Sequence, residues 1–310
     1  MRAPSLGYRP PHERSSWLAT LALLVVVVFF FYPFFWMALS AFKTDVEIFH
    51  PLQLWPEKFK QFGAGAFFRS LAHGDFPSAK EQFFAAFDFQ YYAMLLKNVY
   101  FPFLRTFGNS VAIAFFEAIG AVILTSMAGY VFARHRFPGS KLLFLLAVVV
   151  IVIPQQALVV SLFGWINQLH LLDNLFGIIL PGLVSGLGVI YFTQVFKQIP
   201  DELFEAARLA GASEFAVYRT LLPLVISPLL SFGFIQFVLA WHEHLIPLMV
   251  VQTEQNKTLP LALASLYGSS MHQPYAVLMA ASTLTLLPIT ILFILVQRRF
   301  RNSLAELLVH

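Results

Sequence analysis

Long apolar runs alternate with short polar segments along most of the chain. Six runs contain almost no Asp, Glu, Lys or Arg, and each can hold the about 20 apolar residues that cross a bilayer as a helix. We therefore predict an all-α integral membrane protein with six transmembrane helices. The predicted spans are Ser15–Phe42, Thr106–Ala133, Leu142–Leu172, Asn174–Phe196, Thr220–Trp241 and Tyr275–Gln297.

The first and last apolar runs need separate interpretation. The last one, Thr258–Gln297, is too long for one helix, so its first part is predicted to be a loop or re-entrant segment. The first follows three arginines, as a secretory signal peptide would. Its apolar core exceeds the 7–15 residues of a signal, and no small-residue cleavage site follows, so we expect it to be retained.

The positions of the basic residues predict the orientation, because Lys and Arg collect in short cytoplasmic loops. The N-terminal segment, the second and fourth connections and the C-terminal tail each carry three, whereas the third connection has none. Both termini are therefore predicted to be cytoplasmic. The residues are Arg2, Arg9, Arg14, Arg134, Arg136, Lys141, Lys197, Arg208, Arg219, Arg298, Arg299 and Arg301.

Composition agrees with a membrane protein and excludes several other classes. Hydrophobic residues make up 58% and charged residues 12%, against about 45–50% and about 25% in soluble domains. The absence of cysteine excludes disulfides, thiolate metal sites and cysteine nucleophiles. No GxxxxGK[ST] sequence is present, so the chain itself is not expected to bind ATP through a P-loop.

Two connections are too long to be simple turns. The first, Lys43–Arg105, is rich in proline and aromatic residues, with Ser78 and Glu81 spaced as a capping box. It predicts short amphipathic helices on the outer membrane face or against a partner. The fourth connection predicts two short helices, the first beginning after Pro200 and ending at Gly211, the second capped by Ser213.

This fourth connection resembles a known family. Its "EAARLAGAS", followed by "LLP", resembles the EAA loop of binding-protein-dependent ABC importer permeases, and the similarity extends over roughly Arg105–Phe300. Two positions depart from the family pattern: Ala210 stands where Asp is common, and Pro223 follows Gly211 by twelve residues instead of thirteen. Flanking segments similar to the second permease chain of the maltose-type sugar branch are "GNSVAIA", "AGYVFARHRFPGSKLLF", "QIPDELFEAA", "TLPLALASL" and "LPITILFILVQRRF".

The resemblance implies a type I ABC importer permease fold. It implies a permease domain at 105–297 with the EAA loop near 197–223, preceded by a segment (1–104) with the first helix and the long external connection, and followed by a cytoplasmic tail (298–310). The loop would form a coupling helix in a groove of an ATPase subunit. The residues implied in this coupling are Pro200, Glu202, Glu205, Ala206, Ala207, Gly211, Ala212, Glu214 and Pro223.

The resemblance also implies the function and the partners. The chain would be a permease subunit of an ATP-driven sugar importer in the bacterial inner membrane, forming half of the pathway. It would bind no cofactor and catalyse no covalent reaction, with ATP and Mg on two partner ATPase subunits. A second permease, an extracytoplasmic solute-binding protein, the sugar and the bilayer are the other expected partners, and nucleic acid is not one. A permease for glycerol phosphate or polyamine stays open as an alternative, and a secondary transporter or an intramembrane enzyme is a remote one.

Three polar residues within the spans are candidates for the translocation path. Glu117 is an intramembrane acid, which by default suggests function. It could accept hydrogen bonds from a polyol, or it could sit near the outer interface or pair with a partner helix. Gln155 and Gln156 follow Pro154 and either line a cavity or mark a packed kink. The spans contain no basic residue, which favours neutral polyols over anionic solutes. Three glycines of the fourth span, Gly182, Gly186 and Gly188, are predicted to permit close helix packing.

The fifth connection is a candidate contact for the external binding protein, since the corresponding segment approaches that protein in relatives. The candidate contact residues are Gln252, Thr253, Glu254 and Asn256. Nearby, the run His242-Glu243-His244 is not predicted to bind a metal, because adjacent residues on a helix point in different directions.

Overall fold

The computed structural model describes residues 17–50, 53–268 and 274–308. Regular structure within these ranges is helical throughout, so the predicted all-α class is confirmed. Four of the described helices are long and apolar enough to cross a membrane, or up to six if two bent helix pairs each count as one span. The N-terminal basic residues Arg2, Arg9 and Arg14 lie outside the described residues.

The chain divides into two compact units, of which the first comprises Met1–Tyr91 and Pro274–Thr283. Its longest helix is exposed on all faces from Ala19 to Phe35, as expected for a helix that is covered by lipid or by another transmembrane chain. Its helices are α1 (Trp17–Ser40), α2 (Asp45–Ile48), α3 (Ala64–Ala72) and α4 (Phe76–Ala86), with a short 3₁₀ helix at Glu57–Gln61; α5 (Gln90–Leu96) begins here.

Aromatic rings hold together the part of this unit that follows α1. The Phe42 ring meets Phe87 and Phe89 edge-on, with centroids 5.4 and 5.1 Å apart. Phe59 contacts Phe87 in the same way and stacks on Trp55 at 5.0 Å. Such pairs add to the stabilisation from burial alone. The many phenylalanines of the first connection thus form a core for its short helices.

The predicted cap of this segment is wrong by three residues. Asp75, not Ser78, caps α4: its Oδ1 accepts from the Ser78 backbone N–H at 3.2 Å. Pro77 lies in the first turn of the helix, where a missing N–H costs nothing. A helix that begins before Pro77 gains one further turn and still has a carboxylate at its N-terminus.

The second unit comprises Tyr92–Gln273 and Leu284–His310. Its centre is the long helix α6, which packs against α10 and α13 and also contacts α9 and α15. Its helices are α6 (Phe103–Arg134), α7 (Ser140–Val152), α8 (Gln155–Gln168), α9 (Leu175–Gly182), α10 (Gly186–Lys197), α11 (Asp201–Leu209), α12 (Glu214–Leu221), α13 (Ile226–His242), α14 (Leu245–Val250), α15 (Leu259–Gly268) and the C-terminal part of α16 (Tyr275–Leu308).

The third and fourth predicted spans are broken helix pairs rather than straight helices. Between α7 and α8 the chain bends by 109°, with Ile153 and Pro154 in extended conformation. Pro154 has no N–H and disfavours a helical residue before it, so this break agrees with the interruption predicted from the sequence. A 45° bend separates α9 from α10, and Ser185 caps the new helix by accepting from the Gly188 N–H.

Two apolar clusters stabilise opposite ends of the second unit. One joins α6, α10, α11, α12 and α13 through Tyr130, Phe192, Phe204, Val217 and Phe232 with their neighbours. The other joins α6, α8, α9 and α14 through isoleucines and Val250. The three glycines of the fourth span pack closely, as predicted: a Cβ would overlap Glu117 at Gly182, Ala147 at Gly186 and Phe232 at Gly188.

Candidate functional site

The fourth connection folds as two short helices joined by a glycine turn. Gly211 has φ +77°, the left-handed conformation that glycine adopts most easily. Its N–H donates to the Arg208 carbonyl at 2.9 Å, and the Ala212 N–H donates to the Ala207 carbonyl at 3.2 Å. These two bonds form a Schellman motif. Pro200 directly precedes α11 and Ser213 caps α12, so the predicted starts of both helices are confirmed.

The inner face of this helix pair is anchored in the core of the bundle. Phe204 is 2% exposed, and Val217 and Tyr218 are buried beside it. The Tyr218 hydroxyl hydrogen-bonds Ser126 of α6 at 2.8 Å. Ala207 and Ala212 pack against the same cluster. A larger side chain at either position would push the two short helices away from the bundle. The two short helices are thus seated on the bundle as one body.

The outer face of α11 is formed by Glu202, Glu205, Ala206 and Leu209, which we name the coupling face. These positions follow the i, i+3, i+4, i+7 spacing of one helix face, and all four are exposed. Leu209 is 89% exposed, although it is one of the largest apolar residues of the loop. Leu209 was not predicted as part of this face, although its position four residues after Glu205 places it on the same side of the helix.

Arg134 joins this loop to the C-terminal end of α6. One of its terminal nitrogens donates to the Phe196 carbonyl at 2.6 Å and to the Ile199 carbonyl, and the other donates to Asp201. Its guanidinium lies 3.8 Å from the Phe204 ring centroid. The side chain is 11% exposed. Arg134 therefore binds the carbonyls of Phe196, near the end of α10, and of Ile199, just before α11, and fixes where α11 begins.

Glu214 forms a second link between the helix pair and α6. Its carboxylate accepts from the Tyr130 hydroxyl at 2.8 Å and from Arg208 Nε at 3.0 Å, and His135 Nε2 lies 3.1 Å away. The hydrogen bond to Glu214 raises the pKa of Arg208 above its ordinary value. Glu214 is thus bound by residues of the bundle and of α11, whereas the side chain of Glu205 is exposed on the coupling face. Tyr130 and Arg134 were not identified from the sequence, because only the fold brings them to the loop.

The candidate path residues fall into two separate places. Glu117 is buried, and its Oε1 accepts from Gln236 Nε2 of α13 at 3.0 Å. That amide also lies 3.4 Å from the Gly182 carbonyl, at the end of α9. By contrast, Gln155 and Gln156 are exposed at the beginning of α8, directly after the 109° bend. Gln236 was missed because its role depends on helix packing.

The fifth connection is held by Asp173, which precedes α9. Asp173 Oδ1 accepts from the backbone N–H groups of Gln252 and Thr253 at 3.0 Å each, and its carbonyl accepts from Asn256 Nδ2 at 2.6 Å. At the N-terminal end of α6, Asn109 Nδ2 donates to the Gln255 and Lys257 carbonyls. Four candidate contact residues, Gln252, Thr253, Glu254 and Asn256, are thereby brought together on one ordered loop.

Asp173 predicts how this loop responds to substitution and to pH. The backbone N–H groups of Gln252 and Thr253 lower the pKa of the Asp173 carboxyl below its ordinary 3.8. Its stabilising contribution is therefore complete above pH 3.8 and is lost as the pH falls through the lower, folded-state pKa. We expect Asp173→Asn to speed hydrogen exchange of these two amides severalfold at neutral pH, measured by mass spectrometry.

The control for this prediction is Asp75→Asn, the same change at the cap of α4, which should leave exchange in the fifth connection unchanged. In the unsubstituted chain, protection of the Gln252 and Thr253 amides should persist at pH 5 and decline only in stronger acid. Equal protection in the Asp173→Asn chain would show that another contact orders the loop.

The His242-Glu243-His244 run forms a helix junction. His242 Nδ1 lies 2.9 Å from the Val238 carbonyl, and Glu243 Oε1 accepts from the Leu245 N–H at 2.6 Å. Glu243 thus satisfies the first free amides of α14. Within the described part of the chain, no group of three His, Cys, Asp or Glu side chains could hold a metal ion.

Comparison with known proteins agrees with this architecture. The family described as binding-protein-dependent transport system inner membrane component matches residues 121–306. That range includes the coupling face, the glycine turn and α13, and it covers more than half of the chain. The chain therefore belongs to this family of transport permease components and is a multi-pass membrane protein.

Individual relatives and one solved structure extend the comparison. The arabinooligosaccharides transport system permease protein of Halalkalibacterium halodurans is 35% identical over 63% of this chain and 70% of its own length. The trehalose transport system permease protein of Mycobacterium tuberculosis is 32% identical over 64% of this chain and 74% of its own. A bacterial ABC transporter involved in the import of the acidic polysaccharide alginate shares the fold, with a TM-score of 0.74, 17% identity and coverage of 94% of this chain and 100% of that one.

Proposed function

We propose that the chain is the permease subunit of an ATP-driven sugar importer and is coupled to a separate ATPase through α11. The observation that carries this proposal is the coupling face. It combines two acids with the exposed Leu209, while the opposite side of the same helix is fixed to the bundle by Phe204 and Arg134. A rigidly seated helix with an exposed outer face transmits a push from a docked partner to the transmembrane helices.

The length of α6 supports a topology in which this face and the fifth connection lie on opposite sides of the membrane. The helix has 32 residues and is therefore about 48 Å long, longer than the about 30 Å of hydrocarbon. Asn109 near its beginning binds the fifth connection, and Arg134 at its end binds the EAA loop. With six crossings and both termini in the cytoplasm, the loop faces the ATPase and the fifth connection faces the solute-binding protein.

A sugar is the favoured solute, because the two named relatives are permease proteins of an arabinooligosaccharides and a trehalose transport system. A second permease chain would complete the pathway in the bacterial inner membrane. In this proposal Gln155 and Gln156, exposed at the bend between α7 and α8, offer amide groups to the passing solute. The chain would hold no cofactor, since ATP and Mg belong to the ATPase subunits.

Transport in proteoliposomes tests the proposal. The chain is reconstituted with its partner permease, ATPase and binding protein, and uptake of radiolabelled arabinotriose, trehalose and lactose is measured. We expect uptake of at least one sugar that requires both ATP inside and the binding protein outside. Uptake of glycerol 3-phosphate or a polyamine instead would favour the alternative solute class. Uptake driven by an ion gradient without ATP would refute the importer assignment.

A further inference from the structure

A buried polar pair lies between three helices of the second unit. Glu117 of α6 and Gln236 of α13 are each 7% exposed, and they are 119 residues apart in the chain. Gln236 Nε2 donates to Glu117 Oε1 at 3.0 Å and lies 3.4 Å from the Gly182 carbonyl. The pair therefore connects α6, α13 and the end of α9 at one point.

The helix positions next to this pair are apolar. On α6, the neighbouring Ile113, Ala114 and Ala121 are buried, and Phe237 follows Gln236 on α13. A carboxyl in such a place is costly, and intramembrane acids are retained mainly where they serve a pathway or a relay. Packing alone would be achieved at less cost by two apolar side chains.

The carboxyl has capacity for more hydrogen bonds than it makes with Gln236. A carboxylate offers about four acceptor positions, and a Gln amide carries both donors and an acceptor. Together they match the vicinal hydroxyl groups of a sugar, each of which both donates and accepts. The described transmembrane helices place no basic residue beside this carboxyl that would attract an anionic solute.

Access to the pair depends on the break between α9 and α10. A Cβ at Gly182 would overlap the carboxyl of Glu117, so α9 presses directly on this group and leaves no space for a solute. The 45° bend between α9 and α10 marks a place where one helix half can move relative to the other. Transporter solute sites form at such discontinuous helices.

We propose that Glu117 and Gln236 form a binding site for the hydroxyl groups of a neutral sugar. The site is closed here by the contact of Gly182 with Glu117, and it opens when α9 moves away from Glu117. This inference rests on the proposed transport function and deepens it, because it selects uncharged, hydroxyl-rich solutes over anionic ones. Neither Gln155 nor Gln156 belongs to this site.

Chemical labelling tests whether the site opens. The chain contains no cysteine, so Gln236→Cys gives one reactive position in it. Within the complete complex, we expect a membrane-impermeant methanethiosulfonate to label this cysteine after trapping with ATP and vanadate, and the transported sugar to slow the labelling. The control is Phe232→Cys, one turn earlier on α13 and 2% exposed, which should stay unlabelled. A Gln236→Cys chain that is unlabelled in both states, or labelled equally with and without sugar, overturns the proposal.

Transport kinetics test whether the carboxyl contacts the solute. Using whichever of arabinotriose, trehalose or lactose the wild-type complex imports best, we expect Glu117→Leu to raise the transport KM about tenfold or more, as for loss of a polar solute contact. Glu117→Gln, which keeps the shape and hydrogen-bonding groups, should raise it less. The binding protein's own affinity for the sugar serves as an unchanged reference.

The outcomes separate this inference from the function on which it rests. A complex with Glu117→Leu that keeps the wild-type KM and loses only kcat or thermal stability would assign the pair a purely structural role, and the sugar site would be refuted. A wild-type complex without ATP-dependent sugar uptake would refute the proposed function and this site together.

Discussion

Replacement of Glu205 by Lys is expected to abolish sugar-stimulated ATP hydrolysis and ATP-dependent uptake, while the chain still inserts and assembles in the membrane. Glu205 is exposed on the coupling face and has no structural partner among the described residues, so its loss costs the fold little. If Glu205 pairs with a basic residue of the ATPase subunit, as proposed, a lysine in its place leaves that residue unpaired and repels it. Breaking a desolvated charge pair of this kind costs about 2–5 kcal/mol, enough to remove docking.

The experiment compares ATPase activity and co-purification of the ATPase subunit from detergent-solubilised complexes. Glu81→Lys provides the control, because it makes the same change at an exposed residue of α4 in the first unit. We expect wild-type coupling in Glu81→Lys and none in Glu205→Lys. Normal stimulation by sugar in Glu205→Lys would remove this residue from the docking surface.

Replacement of Arg134 by Met should uncouple the transporter for a different reason, because it weakens the attachment of α11 to the helix bundle. The guanidinium donates to the carbonyls of Phe196 and Ile199 and packs on the Phe204 ring. Met retains most of the apolar contact but supplies no donor, so the buried Ile199 carbonyl loses its partner, while the Phe196 carbonyl keeps a backbone N–H from Ile199 at 3.4 Å. We expect a local destabilisation of about 1–3 kcal/mol. The exposed ion pair to Asp201 adds little to this.

Arg136→Met is the matched control for Arg134→Met. Arg136 lies two residues further on, is exposed, and is also one of the basic residues predicted to be cytoplasmic. We expect it to retain coupling, whereas Arg134→Met should keep basal ATP hydrolysis in the complex and lose the stimulation by sugar. Faster hydrogen exchange in residues 197–210 should accompany that loss. Equal stimulation in both variants would mean that Arg134 does not transmit the movement.

Features governed by local backbone chemistry were predictable from the sequence. Gly211 is required in the left-handed conformation, and Ser213 has the side chain that caps a helix; both predictions are confirmed. Pro154 marks the break after α7 for an equally local reason. The capping prediction at Ser78 was wrong because Asp75 and Pro77 together offer an earlier helix start. Where two local signals compete, the sequence pattern does not decide between them.

Residues whose roles depend on distant partners were not predictable. Arg134 and Asp173 appeared as an ordinary loop charge and an ordinary turn residue, and Gln236 as a polar residue in an apolar run. Their partners lie 62, 80 and 119 positions away, and no periodicity connects them. Glu117 was identified because its cost in a membrane is visible from composition alone. Its partner required the packing of α6 against α13.

The hydrogen bonds of Asp173 also determine how late during synthesis the fifth connection can fold. Asp173 and Thr253 are 80 residues apart, and α9 to α14 all lie between them. During synthesis, the fifth connection cannot reach Asp173 until every one of these helices has emerged and taken its place. The surface expected to receive the binding protein is therefore absent from nascent chains that stop before Thr253, and it can form only after α9 to α14 have been synthesised.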